Sequence, residues 1–258
     1  MVSPSITEAT PATSARARLA SSAPIALNLW AQYAHAMTGT GASMATDIFQ
    51  FWSGIRLKGG AHPADCEVLR RVDHNFDLRC LPRPFSGPLK TAPVVLLFLS
   101  HRLSEQDYTD AKTRSGRDRY RRTWGGKESL WGPKDHESAW RWWKSRTACF
   151  GDWQDLQTKV AILNIGAYHS KTFADWPLLA ALPSSRVSID WAQHVLFLEA
   201  MAGQRVVVCL RSAKFWGLKE GKRYGKALFA PPVTRRGDMN HGRERNAIIR
   251  EVKAALVR

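Results

Sequence analysis

An uninterrupted apolar run from Pro93 to Leu99 constrains the fold of this chain more than any other feature. Its seven residues are rich in valine and leucine, show no polar alternation, and are followed by Ser-His-Arg. A run this short suits a strand that is covered on both faces, as in a parallel sheet packed between helices. A buried helix has a similar pattern, but the proline at the start and the polar exit favour a strand.

Three further short apolar runs, at 159–164, 205–210 and 227–230, are also predicted as strands. Helical patterns are interspersed with them, at 137–150, 186–202, 212–217 and 243–257. Strands that alternate with helices imply right-handed crossovers and a parallel sheet covered by helices. We therefore expect an α/β fold, a three-layer α/β/α sandwich with a central, mostly parallel four-stranded sheet.

The segment before residue 81 differs in composition from the rest. Residues 1–24 are rich in Ser, Thr, Ala and Pro and lack the apolar core of a secretory signal, which predicts a disordered tail. Helical composition at 25–37, 43–56 and 63–72 predicts a helical extension over 25–80, on the same domain as the sheet. A Pro/Gly-rich stretch at 81–90 then leads into the first strand, so the sheet domain is expected to span 81–258.

The formal charge of +16 favours a polyanionic partner. Nucleic acid is the commonest such partner and an anionic membrane the next. The densest basic stretch, 112–122, holds six Lys or Arg against one Asp, with aromatic residues beside them, which favours contact with phosphates. No apolar run has the length of a transmembrane helix. We expect a cytoplasmic monomer that binds DNA and not a membrane.

The cysteines do not form a metal-binding pattern. Cys66, Cys80, Cys149 and Cys209 include no C-x-x-C pair, whereas zinc and iron–sulfur sites usually draw ligands from close pairs. The H-x-E and P-C-x-x-C signature of zinc deaminases is also absent. We expect no metal and no cofactor.

Polar residues follow the predicted strands at the points where each strand ends. Ser100, His101 and Arg102 follow the first strand, Asn164 ends the second, and Arg211 follows the third. In open α/β sheets, ligands bind beyond the carboxyl ends of the strands. The sequence therefore predicts a site at this edge, with the polar segment 234–241 before the last helix as a further part of it.

The order of these segments resembles the uracil-DNA glycosylase superfamily, from roughly Leu81 to the C-terminus. P-R-P-F-S-G and V-V-L-L-F-L-S-H-R resemble the first motif region of that family, and V-A-I-L-N-I-G-A-Y resembles its middle strand, with Asn164 at the Asn position. V-V-V-C-L-R-S-A resembles the strand that often reads V-x-P-L-G-R-x-A, and V-T-R-R-G-D-M-N-H-G stands where an H-P-S-P-type loop precedes the last helix. Order and spacing agree better than the motifs do.

The resemblance implies a monofunctional uracil-DNA glycosylase of base excision repair. Such an enzyme turns uracil, or a related deaminated base, out of DNA and hydrolyses its N-glycosidic bond, which leaves an abasic site. The amide of Asn164 offers a donor and an acceptor for the pairing edge of the base. A carboxylate or a neutral histidine is needed near the attacking water, and a donor is needed at the leaving base.

The residues that this resemblance places at the site fall into three groups. The catalytic candidates are His101, Asp107 and Ser100. The candidates for binding uracil are Asn164, Tyr168, His169 and Phe85, with Tyr168 or Phe85 stacking on the base. The candidates for binding DNA are Arg102, Arg117, Arg119, Arg121, Arg122, Arg235, Arg236, Asn240 and His241.

The chain departs from the pattern of the family at both catalytic motifs. Ser100 occupies the place of the water-activating Asp or Asn, and His101-Arg102 replace the usual Pro-Gly. The histidine of the last motif is missing at its expected place, and His241 stands further along. Either the site is rebuilt from other residues, or the chain is a catalytically inactive glycosylase-like module that binds nucleic acid.

Structural roles are open for several of these residues. Asn164 also suits the cap of a turn, Asp107 the N-cap of a helix that starts at Tyr108, and Arg211 the neutralisation of a helix or an acid. Trp140, Trp142 and Trp143 suit a core helix with one face exposed. A nuclease is a weaker alternative, because Asp175 falls one residue too early for an H-x-K-x4-D motif and no second copy exists.

Overall fold

The computed structural model describes residues 46–56, 60–172 and 176–258. The predicted tail at 1–24 and the predicted helix at 25–37 lie outside these residues.

A mixed sheet of six strands forms the centre of the described structure, in the order β1-β3-β2-β4-β6-β5. The strands are β1 (Phe85–Ser86), β2 (Val94–Phe98), β3 (Val160–Asn164), β4 (Val206–Cys209), β5 (Lys222–Tyr224) and β6 (Leu228–Ala230). The neighbours β3-β2, β2-β4 and β4-β6 are parallel, and these four strands are the ones that the apolar runs predict. The α/β fold class is therefore confirmed.

The prediction of a four-stranded sheet is wrong, because an antiparallel strand is added at each edge. β1 pairs with β3, and β5 pairs with β6. These strands are only two and three residues long, and the exposed Lys222 and Arg223 belong to β5. Segments this short have no periodicity of their own, so they become strands only by pairing with a neighbour that is already in place.

Burial explains why polar and apolar residues do not alternate along the inner strands. All five residues of β2 and all five of β3 are buried, so both faces of each strand are covered. A strand that is covered on both faces needs apolar side chains on both, which favours runs such as V-V-L-L-F. Asn164, the last residue of β3, is the exception, and it is 1% exposed.

Helices precede β1, follow β6 and connect β2 to β3 and β3 to β4. They are α1 (Ile48–Ser53), α2 (Cys66–Arg71), α3 (Glu105–Lys112), α4 (Arg114–Trp124), α5 (Glu137–Thr147), α6 (Trp153–Leu156), α7 (Trp176–Ala181), α8 (Pro183–Trp191), α9 (Phe197–Ala202) and α10 (Arg243–Val257). A π-helical turn, Ala192–Leu196, joins α8 to α9, and short 3-10 turns occur at Pro63–Asp65 and Ala213–Trp216. The basic stretch at 112–122 is thus mostly helix α4.

Helix α1 packs against the core of the sheet domain. Ile48 and Trp52 are fully buried, and the ring of Phe49 meets Phe85 edge to face with 5.5 Å between centroids. No helix in the described ranges is both long enough and apolar enough to cross a membrane.

Candidate functional site

The first two predicted strand exits meet at the carboxyl edge of the sheet. The amide of Gly166, two residues after β3, donates to the carbonyl of Leu99, one residue after β2, at 2.7 Å. A Cβ at Gly166 would lie 3.3 Å from Cβ of Ser100 and 2.8 Å from Cδ1 of Leu179. Glycine therefore permits the loops after β2 and β3 to approach closely, with Leu179 of α7 packed against them.

Asn164 and His101 lie side by side at this edge. Nδ2 of Asn164 is 3.2 Å from Nε2 of His101 and 3.4 Å from the carbonyl oxygen of Pro84. Nε2 of His101 also contacts the carbonyl oxygen of Arg83. Because a carbonyl only accepts, Nε2 carries the hydrogen and Nδ1 keeps the lone pair of the neutral ring. Nδ2 of Asn164 is also a donor, so its 3.2 Å separation from Nε2 is a close contact and not a hydrogen bond. Among the described residues, neither Nδ1 of His101 nor Oδ1 of Asn164 has a hydrogen-bond partner.

His101 is held in its neutral form. Desolvation by burial, helped by the Arg83 guanidinium and by His169, lowers the pKa of His101 well below its ordinary value. A neutral imidazole with a free Nδ1 can accept a hydrogen bond from water near pH 7. The amide of Asn164 beside it has an unused acceptor, so the pair presents two acceptors at one edge of the sheet.

A buried polar network centred on Asp107 lies next to His101. Asp107 is fully buried and accepts hydrogen bonds from the amide and hydroxyl of Ser104, at 2.8 and 2.7 Å, and from Nε2 of His136, at 3.0 Å. The Arg83 guanidinium lies 3.7 Å from Asp107, with its Cζ 5.2 Å from the centroid of the Trp131 ring. A buried carboxylate needs such partners to remain ionised.

The charged and hydrogen-bonding partners of Asp107 together affect its pKa more than burial does. Burial alone would raise the pKa, but the interactions with His169, Arg83 and His136 outweigh it and hold the pKa well below the ordinary value. Asp107 is therefore an anion that already has three hydrogen bonds and no exposure. The arrangement suits an anchor for the site better than a base that activates water directly.

Asp107 also has a different helical position from the one that the sequence suggests. Helix α3 begins at Glu105 with Ser104 as its N-cap, so Asp107 is the third residue of the helix and not the N-cap of a helix from Tyr108. Its carboxylate accepts from the backbone of Ser104, which is the reciprocal half of a capping box. The same side chain thus caps α3 and supports the network.

His169 lies between Asp107 and His101. Its Nδ1 is 3.4 Å from Oδ2 of Asp107, and its ring stacks on that of His101 with 5.4 Å between centroids. Burial lowers the pKa of His169 to about 4, against the opposing effect of Asp107. An interaction with the backbone of Arg102 also raises the pKa of His169 but does not offset the effect of burial. His169 therefore supports His101 from behind and has no exposure to a ligand.

The two aromatic side chains proposed for stacking are both in the core. The hydroxyl of Tyr168 donates to Asp65 and accepts from the amide of His62, at 3.0 Å in the second case, and Phe85 is fully buried in β1. Burial and the charge of Asp65 raise the pKa of Tyr168. Neither ring has an exposed face that a base could contact.

The basic residues of α4 are occupied within the chain. Arg119, with 13% of its side chain exposed, pairs with Asp110 at 3.2 Å. Arg121 pairs with Asp118 at 2.6 Å, and Arg122 with Glu128 at 3.0 Å. Arg117 donates to the carbonyls of Ala111 and Lys112. Their number in the sequence therefore overstates the positive charge that α4 offers to a partner.

The turn at 234–241 presents its polar residues outward. Arg235, Arg236, Asn240 and His241 are exposed, as is Arg102 after β2. The hydroxyl of Thr234 accepts from the amide of Asp238, at 3.2 Å, and Gly237 has φ of 85°, which favours glycine. A Cβ at Gly237 would lie 3.1 Å from Cγ of Arg211, so the turn rests on the exit from β4.

Two residues of this region, Arg83 and His136, have no role in the sequence-based expectations, and Trp142 has only that of a core helix with one face exposed. Arg83 enters from the proline-rich loop before β1, and His136 is the N-cap of α5, with Nδ1 accepting from the amide of Ala139 at 3.2 Å. Trp142 of α5 is 37% exposed. Prolines on both sides of Arg83 were the one available signal, because they hold a loop in a fixed position.

Two depressions of the surface are lined by residues other than His101 and Asn164. One, of about 700 Å³, is lined by residues that include Asp77, Tyr108 and Lys171, and the amide of Asp77 donates to the carbonyl of His169 at 2.8 Å. A larger one, of about 1080 Å³, lies between α1 and α4. In the part of the chain that is described, no group of His, Cys, Asp or Glu side chains is arranged to hold a metal ion.

Comparison with known proteins adds no relative. No protein-family model, no curated protein and no solved structure matches this chain.

Proposed function

We propose that this chain is a divergent uracil-DNA glycosylase that hydrolyses the bond between deoxyribose and uracil in DNA. The observation that carries the proposal is the proximity of Asn164 to a neutral His101 at the carboxyl edge of parallel strands, with Nδ2 and Nε2 3.2 Å apart. This edge adjoins exposed cations at Arg102 and in the turn at 234–241. The residue proposed to recognise the base and the residue proposed to activate water are therefore neighbours.

In the proposed reaction, Asn164 reads the base. Its free Oδ1 accepts the N3 hydrogen of uracil, and a small rotation of the amide lets Nδ2 donate to O4. Cytosine presents no hydrogen at N3, so it lacks the donor that Oδ1 requires. The amide thus distinguishes uracil from cytosine by its hydrogen-bonding pattern.

His101 is proposed to orient the attacking water. Nδ1 accepts a hydrogen bond from the water while the bond from C1′ to N1 of the base breaks and its electron pair leaves with the base. As the oxygen bonds to C1′, the water proton passes to Nδ1. A base with a lowered pKa is weak, so its contribution is late in the reaction, after the sugar has become cationic. Asp107 is a positioning residue that holds the loop under His101.

The topology supports the same proposal. Helices α3 to α6 connect β2 to β3, and α7 to α9 lead from β3 to β4, on the other side of β2. Crossovers of the usual right-handed sense that run in opposite directions would put these helices on opposite faces of the sheet, which is the arrangement of a three-layer glycosylase-like sandwich. The reversal of direction lies between β2 and β4, where ligands bind in open sheets.

A single-turnover assay tests the proposal. The purified protein is incubated with an oligonucleotide that contains one deoxyuridine, with and without EDTA, and half of each sample is treated with alkali. We expect a break at that position only after alkali, and no effect of EDTA. Breaks without alkali would indicate a nuclease and would contradict the proposal.

Variants then test the roles of the two residues. Asn164→Ala is expected to lower the rate at least 100-fold because the base loses its hydrogen bonds, whereas Asn246→Ala, at an exposed position of α10, leaves it unchanged. His101→Ala is expected to lower turnover more than DNA affinity. A full rate in Asn164→Ala would remove Asn164 from the pocket even if the activity is real.

The alternative is a glycosylase-like module that binds nucleic acid without cutting. The observation in its favour is that Asn164 is 1% exposed and has His101 against it, so a base must displace packing to reach the amide. Ser100 in the place of the acidic or amide residue of the family favours it as well. Binding of the oligonucleotide with no break under any condition would establish this alternative.

A further inference from the structure

Trp142 is an exposed aromatic residue beside the candidate site. Large apolar side chains are mostly covered in the described part of the chain, and the exposed ones are Val72, Trp142, Leu198 and Val257. Trp142 is the only aromatic among these four, and 37% of it is accessible. Its ring packs edge to face on Phe98, with 4.8 Å between centroids.

This contact places Trp142 close to Asn164. Phe98 is the last residue of β2, and its partner in the parallel ladder is Asn164 at the end of β3. Paired residues of neighbouring parallel strands project to the same face of the sheet. One phenyl ring therefore separates the indole of Trp142 from the amide proposed to read the base.

An arginine that is paired with a carboxylate lies beside the ring of Trp142. Cζ of Arg146 lies 5.7 Å from the centroid of the Trp142 ring, and its guanidinium pairs with Asp238. Asp238 belongs to the turn at 234–241, where Arg235 and Arg236 are exposed. The ion pair of Arg146 with Asp238 thus links Trp142 to this turn, and we call Trp142, Arg146, Arg235 and Arg236 the tryptophan platform.

We propose that the tryptophan platform binds single-stranded DNA, with the indole of Trp142 stacked on an unpaired base and the arginines of the turn on the adjoining phosphates. An exposed ring with cations beside it matches the two parts of a nucleotide, a flat base and a phosphate. The faces of bases in an intact duplex are covered by their neighbours, so an exposed indole selects unstacked strands. That the stacked base adjoins the excised one rests on the proposed function, whereas the stacking itself does not.

Binding measurements on a strand without uracil test the platform separately from any catalysis. Labelled oligothymidine and a duplex of the same length are titrated with the protein, and affinity is followed by fluorescence anisotropy. In Trp142→Leu, which keeps an apolar side chain against Phe98 but has no ring, we expect the affinity for the single strand to fall about tenfold. Trp142→Phe is expected to retain most of it.

Controls separate stacking from general damage. Leu198→Ala, at the exposed apolar position of α9, is expected to leave the affinity unchanged, and thermal melting verifies that each variant is folded. Full single-strand affinity in Trp142→Leu would overturn the proposal, and so would an equal loss for single strand and duplex. If uracil is never released but Trp142→Leu still loses affinity, the glycosylase proposal fails and the platform stands.

Discussion

Two neutral histidines, His101 and His169, lie beside the buried ion pair of Asp107 and Arg83. Their protonation determines how the site responds to pH. The carboxylate of Asp107 already has one cation next to it, Arg83 at 3.7 Å. Protonation of His169, 3.4 Å from the same carboxylate, would add a second cation to a space without water. The first positive charge balances the anion, and a second would be a net buried charge, which is why His169 stays neutral in the folded protein.

His169 therefore makes the protein less stable in mild acid. Its pKa is about 4 when folded, and it returns to about 6.5 when the chain unfolds. Between these values only the unfolded chain binds the proton, so stability falls as the pH drops from 6.5 towards 4 and is constant above 6.5 on this account. The loss amounts to roughly 3 kcal/mol over the window.

Urea denaturation at a series of pH values measures this effect. In His169→Gln the dependence of the unfolding free energy on pH is expected to be smaller than in the wild type by about one proton over that window. Exposed His241→Gln serves as the control and is expected to retain the wild-type dependence. Identical pH dependence in wild type and His169→Gln would show that His169 does not titrate abnormally.

The elements of this fold differ in how far the sequence predicts them. Strands β2 and β4 are apolar throughout because both faces are covered, so each apolar run by itself predicts a strand. β1 and β5 exist only by pairing, and no local pattern predicts them. The meeting of Asn164 with His101 follows from the rule that parallel strands end at one edge. Arg83 and His136 reach the same place through loops, whose paths the sequence does not specify.

Helix α4 shows how ion pairs limit what a count of charges predicts. Its arginines have partners that come from other parts of the chain, such as Asp110 of α3 and Glu128 after α4. α3 and α4 also approach very closely at Gly116. A Cβ there would lie 2.3 Å from the carbonyl oxygen and 2.4 Å from Cα of Asp110. Contact of this kind, which no periodicity indicates, holds α3 and hence Asp107 in place.

Gly116→Ala is therefore expected to destabilise the protein by about 1–3 kcal/mol, because the backbones of α3 and α4 must separate. Helix propensity predicts the opposite sign, a gain of about 1 kcal/mol for alanine over glycine. Urea midpoints compared with Ser115→Ala, the exposed neighbour, decide between the two. A Gly116→Ala variant as stable as the wild type would mean that the helices do not touch at this point.

At the scale of the whole molecule, the question is whether the net charge or its placement governs the binding of nucleic acid. A charge of +16 predicts strong attraction to any polyanion. In the structure, Arg121 and Arg122 of α4 pair with Asp118 and Glu128, whereas Arg235 and Arg236 of the turn are exposed. Cations that already pair with carboxylates displace fewer counterions from DNA than free ones do.

Two double variants that each remove two charges answer this question. In Arg235→Gln/Arg236→Gln, the slope of log affinity against log salt for oligothymidine is expected to fall in magnitude by about 1.4, since each lost phosphate contact on a single strand removes about 0.7. In Arg121→Gln/Arg122→Gln, the same change of net charge is expected to leave the slope nearly as in the wild type. Equal reductions in both variants would show that binding follows total charge, and the turn would then have no special part in holding the strand.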